Sequence, residues 1–249
     1  MKPTIIRLIK NQVRQLFIQM NWPVTRNLKY DILTKKILDR ELTPTSNCID
    51  VGAHKGEILD LFLHYSPQGK HHAFEPIPAM YEHLTGKYAG QASIYPYALS
   101  NREGTMLFNV VLDAPAYSGL QRREYKTAQP EIHSIEVEVR ILDHVLQGRQ
   151  HAVDLIKIDV EGGEMDVLKG ATSLLTQDKP MLIFEFGKGA SEYYGTLPHH
   201  MHEWLSQHDY AMWTLEDFWK RKAPLSSDQL KQVYESGSDY YFVAQSSAR

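Results

Sequence analysis

Five carboxylates of this chain stand at or just beyond the ends of apolar runs, where acid chemistry is useful: Asp50, Glu75, Asp159, Glu161 and Glu185. The first two flank a glycine-bearing turn. Asn47 to Gly52 reads as a strand, and the turn to Gly56 opens a helix over Glu57 to Tyr65. A second strand, His71 to Pro76, then closes on Glu75. Glycines there let a ligand come close to the backbone, and an acid ending the next strand accepts hydrogen bonds from two ribose hydroxyls. Asp50 narrows the ligand further. A carboxylate beside the first glycine repels a pyrophosphate but suits a molecule carrying an ammonium and a sulfonium.

The other three acids sit on two later strands. Along Asp154 to Glu161, side chains alternate, so Lys157, Asp159 and Glu161 share one side while Ile156, Ile158 and Val160 share the other. A central parallel strand is expected to be apolar on both faces, so a charged row near its carboxyl end needs a reason. One reason is structural: a Lys157–Asp159 ion pair, with Glu161 and Glu164 favouring a helix amino terminus. The other is a ligand site, because open α/β sheets bind ligands at that end. Glu185 ends the apolar run Met181 to Phe186 in the same way. If the two strands are neighbours, Asp159 and Glu185 meet beside the cleft, where they could share a proton, orient a hydroxyl or hold a divalent cation.

Alternating strand and helix patterns argue for a parallel sheet with helices on both faces. After the turn unit come a helix over Pro78 to Tyr88 and a third strand over Ala92 to Ser100. The alternation then breaks: Thr105 to Leu112 and Ile135 to Ile141 read as an antiparallel ribbon with one wet face. Asp113 to His133 lies between them without periodicity, as a lid or a disordered loop. Beyond the Asp154 strand the pattern gives a helix over Glu164 to Leu175, the Met181 strand, a helix over Pro198 to His208, and closing strands at Tyr210 to Leu215 and Tyr240 to Ala244. Upstream, Thr4 to Met20 and Leu28 to Leu38 carry amphipathic helical patterns. The first is read as a cover for the sheet or a dimer contact in preference to a helix lying on an acidic membrane surface. Residues 1–44 are thus expected to form a helical extension and 45–249 one catalytic domain, with an insertion at about 104–142.

Composition restricts the function classes. With 249 residues, 43% of them hydrophobic, the chain can bury the core of one large α/β domain. A net charge of −3 gives no electrostatic footprint for nucleic acid. A single cysteine, Cys48, excludes an internal disulfide framework or a cysteine-rich zinc site, and its place in the first strand predicts a buried small hydrophobe. No run approaches a membrane span and no secretory leader is evident, so a cytoplasmic setting is expected. His199, His200 and His202 cluster at a helix start but lack the spacing that puts two nitrogens on one face, so no metal is expected there. Tyr193, Tyr194, His199 and Trp204 follow the Glu185 strand, where a substrate wall would form.

Gly52 and Gly56 bracket His54 at the spacing of the S-adenosylmethionine turn, acid-x-Gly-x-Gly-x-Gly, with the middle glycine replaced. Six segments carry a wider resemblance: Asp50 to Gly56, Ala73 to Pro76, Tyr97 to Ser100, Ile156 to Gly162, Val167 to Ala171 and Phe184-Glu185. In order, spacing and wording they resemble the FkbM family of S-adenosylmethionine-dependent methyltransferases over roughly Asn47 to Phe186. The resemblance implies the Rossmann-like class I fold, a seven-stranded mostly parallel sheet with one reversed strand, and O-methylation of a sugar, glycan or natural-product hydroxyl. It implies that Asp50, Gly52, Ala53 and Gly56 line the methionine half of the cofactor. Glu75 would hold the ribose, with Pro76 beside it, and Ala98, Leu99 and Ser100 would flank the adenine. His54 stands where the family usually has asparagine and is expected to supply another side-chain hydrogen bond.

Moving a methyl group to an alcohol requires alignment, exclusion of water and an outlet for the hydroxyl proton. Asp159 is the expected general base or hydroxyl orienter, with Glu161 and Glu185 as supports. Two other readings stand beside this one: a cofactor-binding partner protein without transfer activity, and a nicotinamide-dependent oxidoreductase, which the glycine spacing and Asp50 disfavour.

Overall fold

The computed structural model describes residues 25–111, 118–121 and 131–246. The Thr4 to Met20 helix and most of the loop expected over Asp113 to His133 lie outside the described residues.

Helix α1 (Arg26–Glu41) starts where the Thr25 hydroxyl accepts the Leu28 N–H at 3.2 Å, and it buries Leu28, Ile32, Leu33, Ile37 and Leu38. The central sheet then builds outward through β1 (Cys48–Val51), α2 (Glu57–Tyr65), β2 (His71–Phe74), α3 (Pro78–Lys87) and β3 (Ala92–Tyr95). The third strand expected from the sequence is two strands. Pro96 lacks an N–H for the ladder, so β3 ends before it, and β4 (Tyr97–Leu99) joins a separate three-stranded sheet. There β4 pairs parallel to β6 (Ile132–Arg140), and β6 pairs antiparallel to β5 (Gly104–Val111).

After the short α4 (Leu142–Val145), the chain returns to the sheet centre as β7 (Leu155–Ile158), parallel to β1. The single helix expected over Glu164 to Leu175 is two, α5 (Glu164–Lys169) and α6 (Thr172–Asp178). The break follows from packing: a Cβ on Gly170 would lie 2.2 Å from the Ser100 carbonyl oxygen. The new amino terminus is capped from outside, Asp143 accepting the Ser173 and Leu174 N–H groups at 2.8 and 2.9 Å. There follow β8 (Met181–Glu185), α7 (Pro198–Gln207) and β9 (Tyr210–Thr214). Two helices absent from the sequence reading come next, α8 (Leu215–Trp219) and α9 (Ser227–Ser236), and β10 (Tyr241–Ser246) closes the chain. The capping box Ser226–Gln229 ahead of Leu230, Val233 and Tyr234 is the signal that marks α9.

The central sheet has the order β3-β2-β1-β7-β8-β10-β9. All pairs are parallel except those of β10, which runs against both β8 and β9. The chain builds away from β1 on one side and from β7 on the other, so the order switches between them. That is where an open α/β sheet leaves a crevice beyond its carboxyl ends. The apolar interior residues of β1, β7 and β8, including Ile49, Ile156 and Phe184, are 0–1% exposed, because helices cover both faces. Each large apolar side chain so buried stabilises by roughly 1.5–3 kcal/mol. Cys48 is completely buried, as a small hydrophobe would be. No helix among the described residues is long and apolar enough to cross a membrane.

Candidate active site

Sheet parity gathers the charged residues. Cys48 and Asp50, Leu155 and Lys157, and Ile183 share one side of their strands, and β10 places Tyr241 opposite Glu185. The apolar members of this set pack under α1, α2 and α3. The polar ones emerge at the crevice. They line one cavity of about 890 Å³ that also touches Gly52, Ala53, His54, Glu75, Pro76, Ala98, Leu99, Ser100, Asp159, Glu161 and Glu185. Gly56 is not on the cavity wall. Its φ is +80°, and a Cβ there would lie 2.2 Å from the Tyr88 hydroxyl, which bonds the Gly56 carbonyl at 2.7 Å. Gly56 therefore holds the turn from behind, and Tyr88, unflagged in the sequence, is its anchor.

The turn itself is closely specified. The Gly52 and Ala53 N–H groups both donate to the Phe74 carbonyl at 3.0 Å. Gly52 has φ +80°, and a Cβ on it would meet the Asp159 carbonyl at 2.0 Å, so only glycine fits. His54 donates its backbone N–H to Glu75 Oε2 at 2.8 Å, while Ile77 donates to Oε1 at 2.9 Å. Burial pushes the Glu75 carboxyl up to about 7, although those two hydrogen bonds pull it down.

Asp50 is 1% exposed, and among the described residues neither carboxylate oxygen meets a hydrogen-bond donor in good geometry, although the Leu59 backbone N–H bears on it. Burial pushes its pKa up to about 6; Lys157 draws it down, while Asp159 and Glu57 push it further up. A buried carboxylate without a well-formed hydrogen bond calls for a cation or an N–H group from outside the protein.

Across the cleft, carboxylate oxygens of Asp159, Glu161 and Glu185 lie within 4.8 Å of one another. Lys157 Nζ sits 2.8 Å from Asp159 Oδ2, and the Tyr241 hydroxyl donates to that same oxygen. Burial would raise Asp159, yet Lys157, Tyr241 and Glu185 together hold it below the usual carboxylate range. Glu185 goes the other way. Burial, then the charges of Asp159, Glu161 and Glu164, carry it well above that range, and it hydrogen-bonds to Asp159. Glu161 adopts φ +59°, in the left-handed region that non-glycine residues seldom occupy. The turn is held by Glu164 Oε1, which accepts from Val160 N at 3.2 Å and Gly162 N at 3.0 Å.

The ion pair that the sequence offered as a structural account of the charged strand is therefore present, and it lies inside the cavity. Tyr194 reaches the cavity wall; Tyr193, His199 and Trp204 do not. His199 packs against His200 with ring centroids 4.1 Å apart and planes tilted at 55°, and His202 bonds the Leu225 carbonyl.

A seven-stranded sheet with one reversed strand, and a crevice at its switch point, defines the class I methyltransferase fold. Residues 50–212 match the methyltransferase FkbM domain, and the chain belongs to that family. Among solved structures, methyltransferase FkbM from Methylobacillus flagellatus KT superposes with a TM-score of 0.51 at 16% identity, covering 82% of this chain and 44% of that one. Methyltransferase sdnD of Sordaria araneosa is 29% identical over 154 residues, 49% of this chain and 59% of that protein. The AMB antimetabolite synthetase AmbE of Pseudomonas aeruginosa is 25% identical over 189 residues, 61% of this chain but 9% of that protein. The chain thus spans less than two thirds of the length of the two curated relatives it matches, 59% of one and 9% of the other.

Proposed function

We propose that this protein is an S-adenosylmethionine-dependent methyltransferase acting on a hydroxyl of a sugar, glycan or natural product. The observation that carries the reading is the Asp50 carboxylate, buried without a well-formed hydrogen bond among the described residues beside a turn that admits only glycine at position 52. The residues fit the cofactor's chemistry. Asp50 offers its anion to an ammonium, Glu75 retains acceptor capacity for ribose hydroxyls, and Ala98, Leu99 and Ser100 give a mostly apolar wall for a purine. When bound, the cofactor supplies an electrophilic methyl group on sulfonium.

The protein's own contribution is position and proton handling. Asp159, Glu161 and Glu185 form an acidic group in the same cavity, able to orient an alcohol and take up the proton it must lose. A small-molecule acceptor agrees with relatives named as a methyltransferase and an antimetabolite synthetase.

Calorimetric titration separates this reading from the oxidoreductase one: S-adenosylhomocysteine should bind and NAD should not. Tritium transfer from labelled cofactor into a panel of glycans and polyketides tests catalysis, and retention of all label in the cofactor across that panel would favour a binding protein.

A further inference from the structure

Resting on the methyl-transfer reading, we infer that Glu185 receives the proton of the acceptor hydroxyl, and that Lys157 and Tyr241 are positioning residues that fix Asp159 beside it. The argument begins with one oxygen. Asp159 Oδ2 takes both the Lys157 ammonium at 2.8 Å and the Tyr241 hydroxyl, so its lone pairs are engaged inside the protein. Lys157 is only 5% exposed. A proton placed on Asp159 would leave that ammonium buried without its anion, which is costly. Asp159 is therefore poorly built to cycle a proton.

Among the described residues, Glu185 carries no such ion pair. It ends β8 directly across from Tyr241 on β10, lines the cavity and hydrogen-bonds to Asp159. The charged and titratable groups facing it are Lys157 and Asp159 from the β7 end, Glu161 and Glu164 from the following turn, and Tyr241 from β10. Burial, reinforced by the charges of Asp159, Glu161 and Glu164, makes the Glu185 carboxylate a stronger base than an ordinary glutamate. In the transfer step the acceptor O–H breaks as its oxygen bonds the methyl carbon. Transfer starts from the ionised form of Glu185: a carboxylate oxygen of that form takes the proton, and the carbon–sulfur bonding pair leaves with sulfur. Charge balances: one sulfonium and one carboxylate become one thioether and one carboxylic acid.

Infrared difference titration of the whole chain tests this without an acceptor. Besides the raised bands of Asp50, Glu75 and Glu164, the unaltered protein should show one more carboxyl band titrating above the usual glutamate range, lost in Glu185→Gln and shifted to higher pH in Tyr241→Phe, because the lost hydroxyl no longer stabilises the fully ionised pair. A band that persists in Glu185→Gln but vanishes in Asp159→Asn would overturn the assignment, as would an unmoved midpoint in Tyr241→Phe for the positioning role. In tritium transfer, Glu185→Gln should lose roughly 10²–10⁴-fold in rate with S-adenosylhomocysteine affinity within about twofold of the unaltered protein. Transfer at full rate by that variant refutes the inference alone. Failure of the unaltered protein to bind S-adenosylhomocysteine refutes the methyl-transfer reading instead.

Discussion

A carboxylate buried without a well-formed hydrogen bond raises the free energy of the ligand-free fold, and among the described residues Asp50 is in that position. Its folded-state pKa of about 6 lies above the ordinary 3.8. The sign follows: any stability tied to its protonation is complete below pH 3.8 and is lost as pH rises through 6. Asp50→Asn should therefore melt higher than the unaltered protein at pH 7.5, by on the order of 1–3 kcal/mol of unfolding free energy. The same change should weaken S-adenosylhomocysteine binding at least tenfold by calorimetry. A variant that is both less stable and fully competent to bind would contradict the role given to this acid. Gly52→Ala places a methyl group 2.0 Å from the Asp159 carbonyl at a φ of +80°. It should cost more than about 2 kcal/mol in chemical denaturation.

The turn after β7 is governed at the element scale. Glu164 is 1% exposed, caps two N–H groups through Oε1, and is pushed by burial up to about 7 from 4.5. The folded state therefore holds a proton that the unfolded chain has already lost, so stability should fall as pH climbs from 4.5 to 7. In Glu164→Gln that slope is removed. The difference in unfolding free energy between the two proteins should change by on the order of 3 kcal/mol across this window and stay flat outside it. Comparing the two denaturation curves cancels buried histidines such as His72, which burial lowers to about 4 and which act in the opposite sense. Element existence was largely legible here: α2 matches its sequence bounds, and the ribbon shows the expected alternation, with Val137 and Val139 buried between exposed Glu136 and Glu138. The breaks were less so. Pro96 carried its own signal, whereas the division of α5 from α6 depends on Ser100 lying against Gly170, a contact no local pattern announces.

For the whole molecule, ligand binding and folding are linked. A ligand that binds only the folded state at one hundred times its dissociation constant adds about 2.7 kcal/mol of stability. Saturating S-adenosylhomocysteine should accordingly raise the melting temperature of the full chain by several degrees, and NAD at equal concentration should leave it unchanged. The amino-acid sequence by itself determined the glycine turn, the paired acids Asp50 and Glu75, and the presence of acids at two strand ends. Those features depend on neighbours a few residues away, through alternation, turn geometry and side-chain charge. Only the tertiary structure decided which charges meet. Antiparallel entry of β10 sets Tyr241 opposite Glu185, and β1 beside β7 sets Asp50 opposite Lys157. These partners come from distant stretches of chain, and burial in a shared crevice, rather than residue type, makes one carboxylate bind a proton more tightly than the next.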